Sequence, residues 1–189
     1  MTNAEIDQAI YDTAIEQGFN PTAAKLIAAQ ARFESADYTS HVFKTDNNTS
    51  GIKYIGSRQI NASRGTLSPE GDYYAHFETV QDAINDKIVR LYNIKMGGVT
   101  PEQLKNVTDS TEFATLLKKR SYYGNTPYGT AQAEADINNY ASGMRAKLLR
   151  INVLEFYTKN KTAVNLAVVG GVVIALTVYA YYLKKKKVL

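Results

Sequence analysis

The chain has 189 residues, enough for one ordinary domain with appendages and too few for two of comfortable size. Four of its 22 Lys and Arg form the run 184–187, and the other 18 match the 18 Asp and Glu, so the body lacks the net positive field that non-specific phosphate binding requires and nucleic acid is not an expected partner. The absence of cysteine excludes disulfides, thiolate zinc sites, iron–sulfur clusters and a cysteine nucleophile.

Residues 1–5 carry neither a basic flank nor an apolar run, so no cleavable secretory signal is expected. Thr2-x-x-Glu5 reads as a capping box for a first helix with Ile6, Ile10 and Ala14 on one face and Gly18 as its stop. Asn20-Pro21, a cap followed by proline at the first helical position, launches a second helix from 22 to about 35. From 46 to 77 helical periodicity disappears. Gly51, Gly56, Gly65, Pro69 and Gly71 there punctuate short runs such as Gly51-Ile52-Lys53-Tyr54 and Tyr73-Tyr74-Ala75, the pattern of a small irregular β lobe. Helix returns over 80–93, with Ile84, Ile88 and Leu91 on one stripe, then over 100–105 and 110–119, and as a long helix from 131 to about 159.

From 163 to 183 no residue is charged, and a helix of that length rises about 31 Å, close to a roughly 30 Å hydrocarbon core. Lysines flank the run and Tyr179, Tyr181 and Tyr182 mark one boundary, so a transmembrane helix inserted in the lipid bilayer is expected. Ala163, Ala167, Gly171 and Ala175 form a stripe of small residues that predicts self-association of this helix. The expected organisation is a mainly helical α+β domain at 1–148, a helical connector at 149–162, the span at 163–183 and a basic tail at 184–189. Helices around a small β lobe leave room for a cleft between them.

The chemistry concentrates at Glu34. In a helix reaching that far, Ile27, Gln30 and Ala31 share its face, so the carboxyl sits on a largely apolar stripe near the helix end. A carboxyl partly removed from water holds its proton more readily, the condition for donating it near neutral pH. The alternative is a helix-terminal glutamate paired with Arg32 or a backbone amide. Elsewhere, Asp46-x-Asn48-x-Ser50-Gly51 copies the opening of a calcium loop, but Ser57 stands where the bidentate glutamate belongs. His41 and His76 show no metal-ligand spacing, and glycine-rich phosphate loops are missing, so neither metal nor cofactor is expected.

The stretch Ala28-Ala29-Gln30-Ala31-Arg32-Phe33-Glu34-Ser35-Ala36, followed by Asn47-Asn48-Thr49-Ser50-Gly51-Ile52-Lys53, resembles the paired signature of the glucosaminidase family of peptidoglycan hydrolases, of the mannosyl-glycoprotein endo-beta-N-acetylglucosaminidase type. In that family a helix ends in Ala-Gln-Ala-x-x-Glu-Ser-Gly and an Asn-rich loop leads into Phe-Gly-Ile-Lys; here Ala36 replaces the glycine and Ser50 the phenylalanine. Tyr74-Ala75-His76-Phe77 is similar to the family's strand-into-helix junction. The runs from Leu117 to Tyr123 and from Asn139 to Met144 resemble its closing block. The four blocks fall in order over roughly residues 5 to 148.

The resemblance implies a lysozyme-like fold and cleavage of β-1,4 bonds in peptidoglycan glycan strands, with Glu34 as general acid. Tyr122 is then expected to line the cleft beside the reacting sugar, and Tyr54 and Asn48 to contact the glycan. For the second carboxylate that inverting and retaining glycosidases use, Glu70 is the candidate and Asp72 the lesser one, although Ser68-Pro69-Glu70-Gly71-Asp72 departs from the family's threonine-led pattern. If neither serves, the sugar's own 2-acetamido group or an internal hydroxyl takes over, as in a lytic transglycosylase, and a muramidase is a further alternative. The rival of another class is a catalytically inactive wall-binding or structural membrane protein. The expected location is a bacterial envelope or the membrane of a membrane-containing bacteriophage particle.

Overall fold

Capping chemistry sets where the helices begin. In the computed structural model, which describes residues 1–152, Glu5 N donates to Thr2 Oγ1 at 3.3 Å and Thr2 N to Glu5 Oε2 at 2.7 Å, opening α1 (Asn3–Glu16). Asn20 Oδ1 accepts from Ala23 N at 2.7 Å with Pro21 at the first position of α2 (Pro21–Glu34). Ser40 caps α3 (His41–Asp46), a short helix absent from the sequence reading, which ends where Asn47 turns left-handed at φ 52°. Thr79, Thr100, Asp109 and Thr130 cap α4 (Val80–Asn85), α5 (Pro101–Lys105), α6 (Ser110–Lys119) and α7 (Ala131–Leu148).

Helix α2 is the axis of the helical body. Apart from Lys25 it is buried from Ala23 to Arg32, with contacts to α1, α6 and α7. Its alanines let neighbouring backbones approach, while Leu26 and Ile27, fully buried, each contribute roughly 1.5–3 kcal/mol of transfer free energy. Ile6, Ile10, Ile84, Ile88, Phe113 and Met144 complete this core from other helices.

After Asn85 the helix that begins at Val80 widens into a π-helix, Asp86–Tyr92. Asp86 is fully buried there and accepts from Arg90 Nη2 at 2.7 Å and Ile60 N at 3.2 Å. An i→i+5 ladder stacks residues five apart, whereas α-helical winding would set Tyr92 about 140° around from Lys87. Both side chains therefore face α2.

The β lobe is a two-stranded antiparallel sheet, β1 (Ala62–Leu67) and β2 (Tyr73–Phe77), pairing Ala62 with Phe77 and Arg64 with Ala75, with an irregularity before Leu67 meets Tyr73. Lys53 adds an isolated bridge to Tyr74. The lobe has its own small core of Ala75, Phe77 and Ala83, with Ile52, Tyr54 and Ala62 against it. The buried Asp46 carboxylate holds the hairpin, accepting from Thr66 N at 3.0 Å and meeting His76 Nδ1 at 3.3 Å. A Cβ on Gly65 would lie 2.6 Å from Asp46 Oδ1, so the strand can pass this carboxylate only as glycine.

Two expectations are corrected. The last helix stops at Leu148 instead of running on to about 159. Arg150 N bonds to Lys147 O and Ile151 N to Leu148 O, tightening its end, and Leu149 is 91% exposed. The transmembrane part of the expected fold class is also withdrawn. Among the described residues no helix is long and apolar enough to cross a membrane. The run 163–183, its small-residue stripe at Ala167, Gly171 and Ala175, the tail and most of the connector lie outside the described residues, as does everything argued from them about bilayer, self-association and location. The fold supported is mainly helical α+β with a two-stranded sheet.

Candidate active site

Glu34 is the last residue of α2, and an unusual turn holds that end. Ser35 Oγ donates to Ala31 O at 2.6 Å and accepts from Tyr38 N at 2.9 Å. Between them Ala36, Asp37 and Tyr38 all lie in the left-handed region, at φ 52°, 56° and 62°. L-residues pay about 1–2 kcal/mol each for that conformation, so surrounding bonds must over-determine it. Asp37 accepts from Lys147 Nζ at 2.6 Å and Arg150 Nη1 at 3.2 Å, and Tyr38 OH donates to Asp7 at 2.9 Å. Arg32 is engaged by Asp7 at 2.6 Å and Asp37 at 3.5 Å. Pairing of Glu34 with Arg32, the sequence alternative, is thus not what the chain adopts.

Glu34 instead points at tyrosines and a lysine. Its Oε1 accepts from Tyr140 OH in a short bond and from Gln30 Nε2 at 3.1 Å; its Oε2 accepts from Tyr122 OH at 3.1 Å and faces Lys87 Nζ at 3.5 Å. Gln30, fully buried one turn earlier, orders this set: its Nε2 donates to Tyr140 OH at 2.8 Å and its Oε1 accepts from Tyr92 OH. Burial, and then the charge of Glu34, push the Tyr92, Tyr122 and Tyr140 hydroxyls well above the ordinary tyrosine range, so they remain donors. Tyr140 is held by Tyr123, stacked at 4.0 Å, and by Phe33, edge-on at 5.4 Å. That packing needs Gly143, where a Cβ would sit 2.3 Å from the Phe33 ring.

Glu34 opens onto a cleft of about 880 Å³ between helical body and β lobe, within the usual range for small-ligand sites. Leu91, Ile94, Met96, Tyr122, Tyr123 and Tyr140 form the helical side; Ser50, Gly51, Ile52, Lys53, Ile55, Arg58, Glu70 and Tyr74 form the other. Aromatic faces beside convergent polar groups suit a sugar ring, which is apolar on its faces and polar at its rim.

Of the residues singled out in the sequence, Glu34 and Tyr122 are brought together. Glu70 lines the same cleft at its rim, 65% exposed and 2.8 Å from Lys53 Nζ, and that hydrogen bond above all holds its carboxyl down at about 2. Asn48 lines no part of the cleft. Buried, it donates to Ile52 O and Ala75 O at 2.8 and 3.0 Å and accepts from Ile52 N at 2.9 Å, pinning the loop to the hairpin. Tyr54 and Asp72 border a neighbouring groove on the β lobe that shares Lys53 and Ile55 with the cleft. The sequence reading gave no role to Lys87, Tyr140, Tyr92 or Tyr123. Tyr140 was visible within the closing block, and Lys87 stands on the stripe of Ile84, Ile88 and Leu91, three residues after the first and four before the last.

The glucosaminidase family, described as mannosyl-glycoprotein endo-beta-N-acetylglucosaminidase, matches residues 8–163. Among solved structures, the chain is similar in fold to one from a type VI secretion system effector–immunity complex of Pseudomonas protegens. The two are 15% identical, with 78% of this chain and 94% of that one covered and a TM-score of 0.50. No curated protein sequence matches.

Proposed function

Because this chain belongs to the glucosaminidase family and is a glycosidase acting on peptidoglycan, we propose that it cuts β-1,4 bonds of the glycan strand as an endo-β-N-acetylglucosaminidase, with Glu34 donating the proton to the leaving oxygen. The observation that carries this is a lone carboxyl at the base of the cleft, between Tyr122 and Tyr140. Protonated tyrosine hydroxyls fix its orientation, which keeps the acid aligned with a bound glycosidic oxygen. Tyr122, Tyr123 and Tyr74 line the cleft that takes the sugars in this reading.

One observation favours a mechanism without a second carboxylate. Glu70 is ionised at neutral pH, but a carboxyl held near 2 by Lys53 is a poor base. Assistance by the 2-acetamido group, or attack by an internal hydroxyl as in a transglycosylase, needs no such base. Digestion of purified cell walls followed by mass spectrometry of the fragments tests both points. Free reducing N-acetylglucosamine ends are expected. Reducing N-acetylmuramic ends would make the protein a muramidase, anhydro-muramic ends a transglycosylase, and undigested walls a binding protein.

A further inference from the structure

Lys87 is 2% exposed, a rare situation for a lysine, and its ammonium has two neighbours: Ser50 Oγ at 2.6 Å and Glu34 Oε2 at 3.5 Å. Ser50 stands where the resembled family pattern carries phenylalanine, so the polar partner and the buried cation occur together beneath the cleft. Other groups around the pair are donors or turned elsewhere. From the loop after α6 comes Tyr122 OH, on the same carboxylate oxygen; from α7, Tyr140 OH on the other; from α2, Gln30. On its own π-helix Lys87 has the Tyr92 ring 5.8 Å away, while Asp86 is engaged with Arg90. Arg120 lies beyond, 5.7 Å from the Tyr92 ring centroid. Glu34 and Lys87 are therefore the acid–base couple of this interior.

A general acid that accepts so many hydrogen bonds must still carry a proton when the sugar arrives. Resting on the reading of Glu34 as that acid, we propose that Lys87 holds the proton Glu34 uses and passes it from Nζ to Oε2 when a bound glycan excludes water from the pair. Lys87 is in this sense a positioning residue for the proton: it acts through Glu34 and does not touch the scissile bond. The N–H bond of the ammonium breaks, the O–H bond of Glu34 forms, and the same proton goes on to the glycosidic oxygen. After product leaves, neutral Lys87 regains a proton from water. Desolvation drives the transfer, because an ion pair loses more solvation than its neutral tautomer when water leaves. Burial already presses the Lys87 ammonium below the ordinary lysine range, with Glu34 opposing.

The test is the pH dependence of wall lysis by the full chain and by Lys87→Met and Lys87→Arg. In the wild type the alkaline limb marks loss of the one proton the pair shares, and burial of Lys87 sets that loss below the ordinary lysine range. In Lys87→Met the proton comes from bulk water, so the alkaline limb moves to lower pH. In Lys87→Arg a cation that never releases its proton stabilises the carboxylate, so the limb lies lower again, by about one to three pH units, the range for a cation beside a carboxylate. If Arg restores the wild-type limb, or Met lowers the rate without moving it, the proton-holding role is wrong. Infrared difference spectra of wild type, on adding a β-1,4-linked N-acetylglucosamine tetramer, read the same step without a substitution. A protonated-carboxyl band should appear, and be missing in Glu34→Gln; its absence from a formed wild-type complex overturns the proposal. Full activity in Glu34→Gln would instead remove the acid reading itself.

Discussion

The cleft sets a lysine against a carboxylate twice. At its rim, on the β lobe, Lys53 and Glu70 meet at 2.8 Å in water; at its base, in the helical body, Lys87 and Glu34 stand 3.5 Å apart out of it. The shorter pair is the weaker piece of machinery. Exposed ion pairs contribute about 0–1 kcal/mol and are screened by salt, whereas removing one member of a buried pair leaves a charge that nothing solvates. Proximity alone does not rank the carboxylates. Burial, and the number of fixed donors around each, does.

The largest expected effect separates the two at once. Glu34→Gln keeps the shape and removes the acid, so wall lysis should fall on the order of 10² to 10⁴-fold, and the buried Lys87 ammonium left without its counter-charge should also lower the melting temperature. Glu70→Gln should stay within a few-fold. A zymogram series over both variants decides it, and a matching collapse in Glu70→Gln would restore the rim residue as the base. The bridge can also be read directly: a carboxyl-detected NMR titration should place Glu70 below the ordinary glutamate range, and a value within that range would mean that the bridge does not persist in solution.

Smaller effects probe how the base is braced while the rim is left alone. Gly143→Ala drives a methyl into the Phe33 ring and should destabilise by about 1–3 kcal/mol, displacing Tyr140 and lowering activity with it; an unchanged melting temperature would show that α2 and α7 separate freely. Ala36→Gly should act the other way. Relief of a left-handed alanine at φ 52° outweighs glycine's added freedom by about 0.5–1 kcal/mol, and calorimetry should show a slightly higher melting temperature. Asp37, braced by Lys147, gives the smallest signal. Its burial opposes ionisation, but the Lys147 hydrogen bond and charge, with Arg150 and Arg32, hold its carboxyl below the usual range. A lowered acid stabilises the fold above its unfolded value of about 3.9 and loses that contribution as pH falls through the folded value. Lys147→Met should therefore flatten the acid side of the stability curve; an unaltered curve would remove this brace.

Much of the helical body was legible because its signals are local. Thr2-x-x-Glu5, Asn20-Pro21 and Thr100-Pro101 announce helix starts through groups within three residues of one another, and Gln30 and Glu34 share a face by simple spacing. What escaped depends on partners far along the chain. Asn48 looked like a polar residue in a loop facing the glycan, yet its amide is consumed by Ile52 and by Ala75, 27 positions away. Lys87 shares the stripe of Ile84, Ile88 and Leu91 by simple spacing, but a lysine on an apolar face ordinarily reaches out to water, and that this one ends at Glu34 and Ser50 depends on elements 53 and 37 positions away. The end of the last helix was set too late because its apolar pattern continues past Leu148, while closure of the final turn at Arg150 and Ile151 is a property of the backbone.

The carboxylate of Asp46 pressed against the bare backbone of Gly65 has a bearing on lineage. A side chain at 65 and a carboxylate at 46 cannot occupy the same space, so neither position is free to drift by itself. Thr66 and His76, which lean on that carboxylate, are drawn into the same constraint. In a set of related chains these sites should change as a group: where 65 acquires a side chain, 46 should have become smaller beforehand, and the hairpin should have found another tether to the helix behind it.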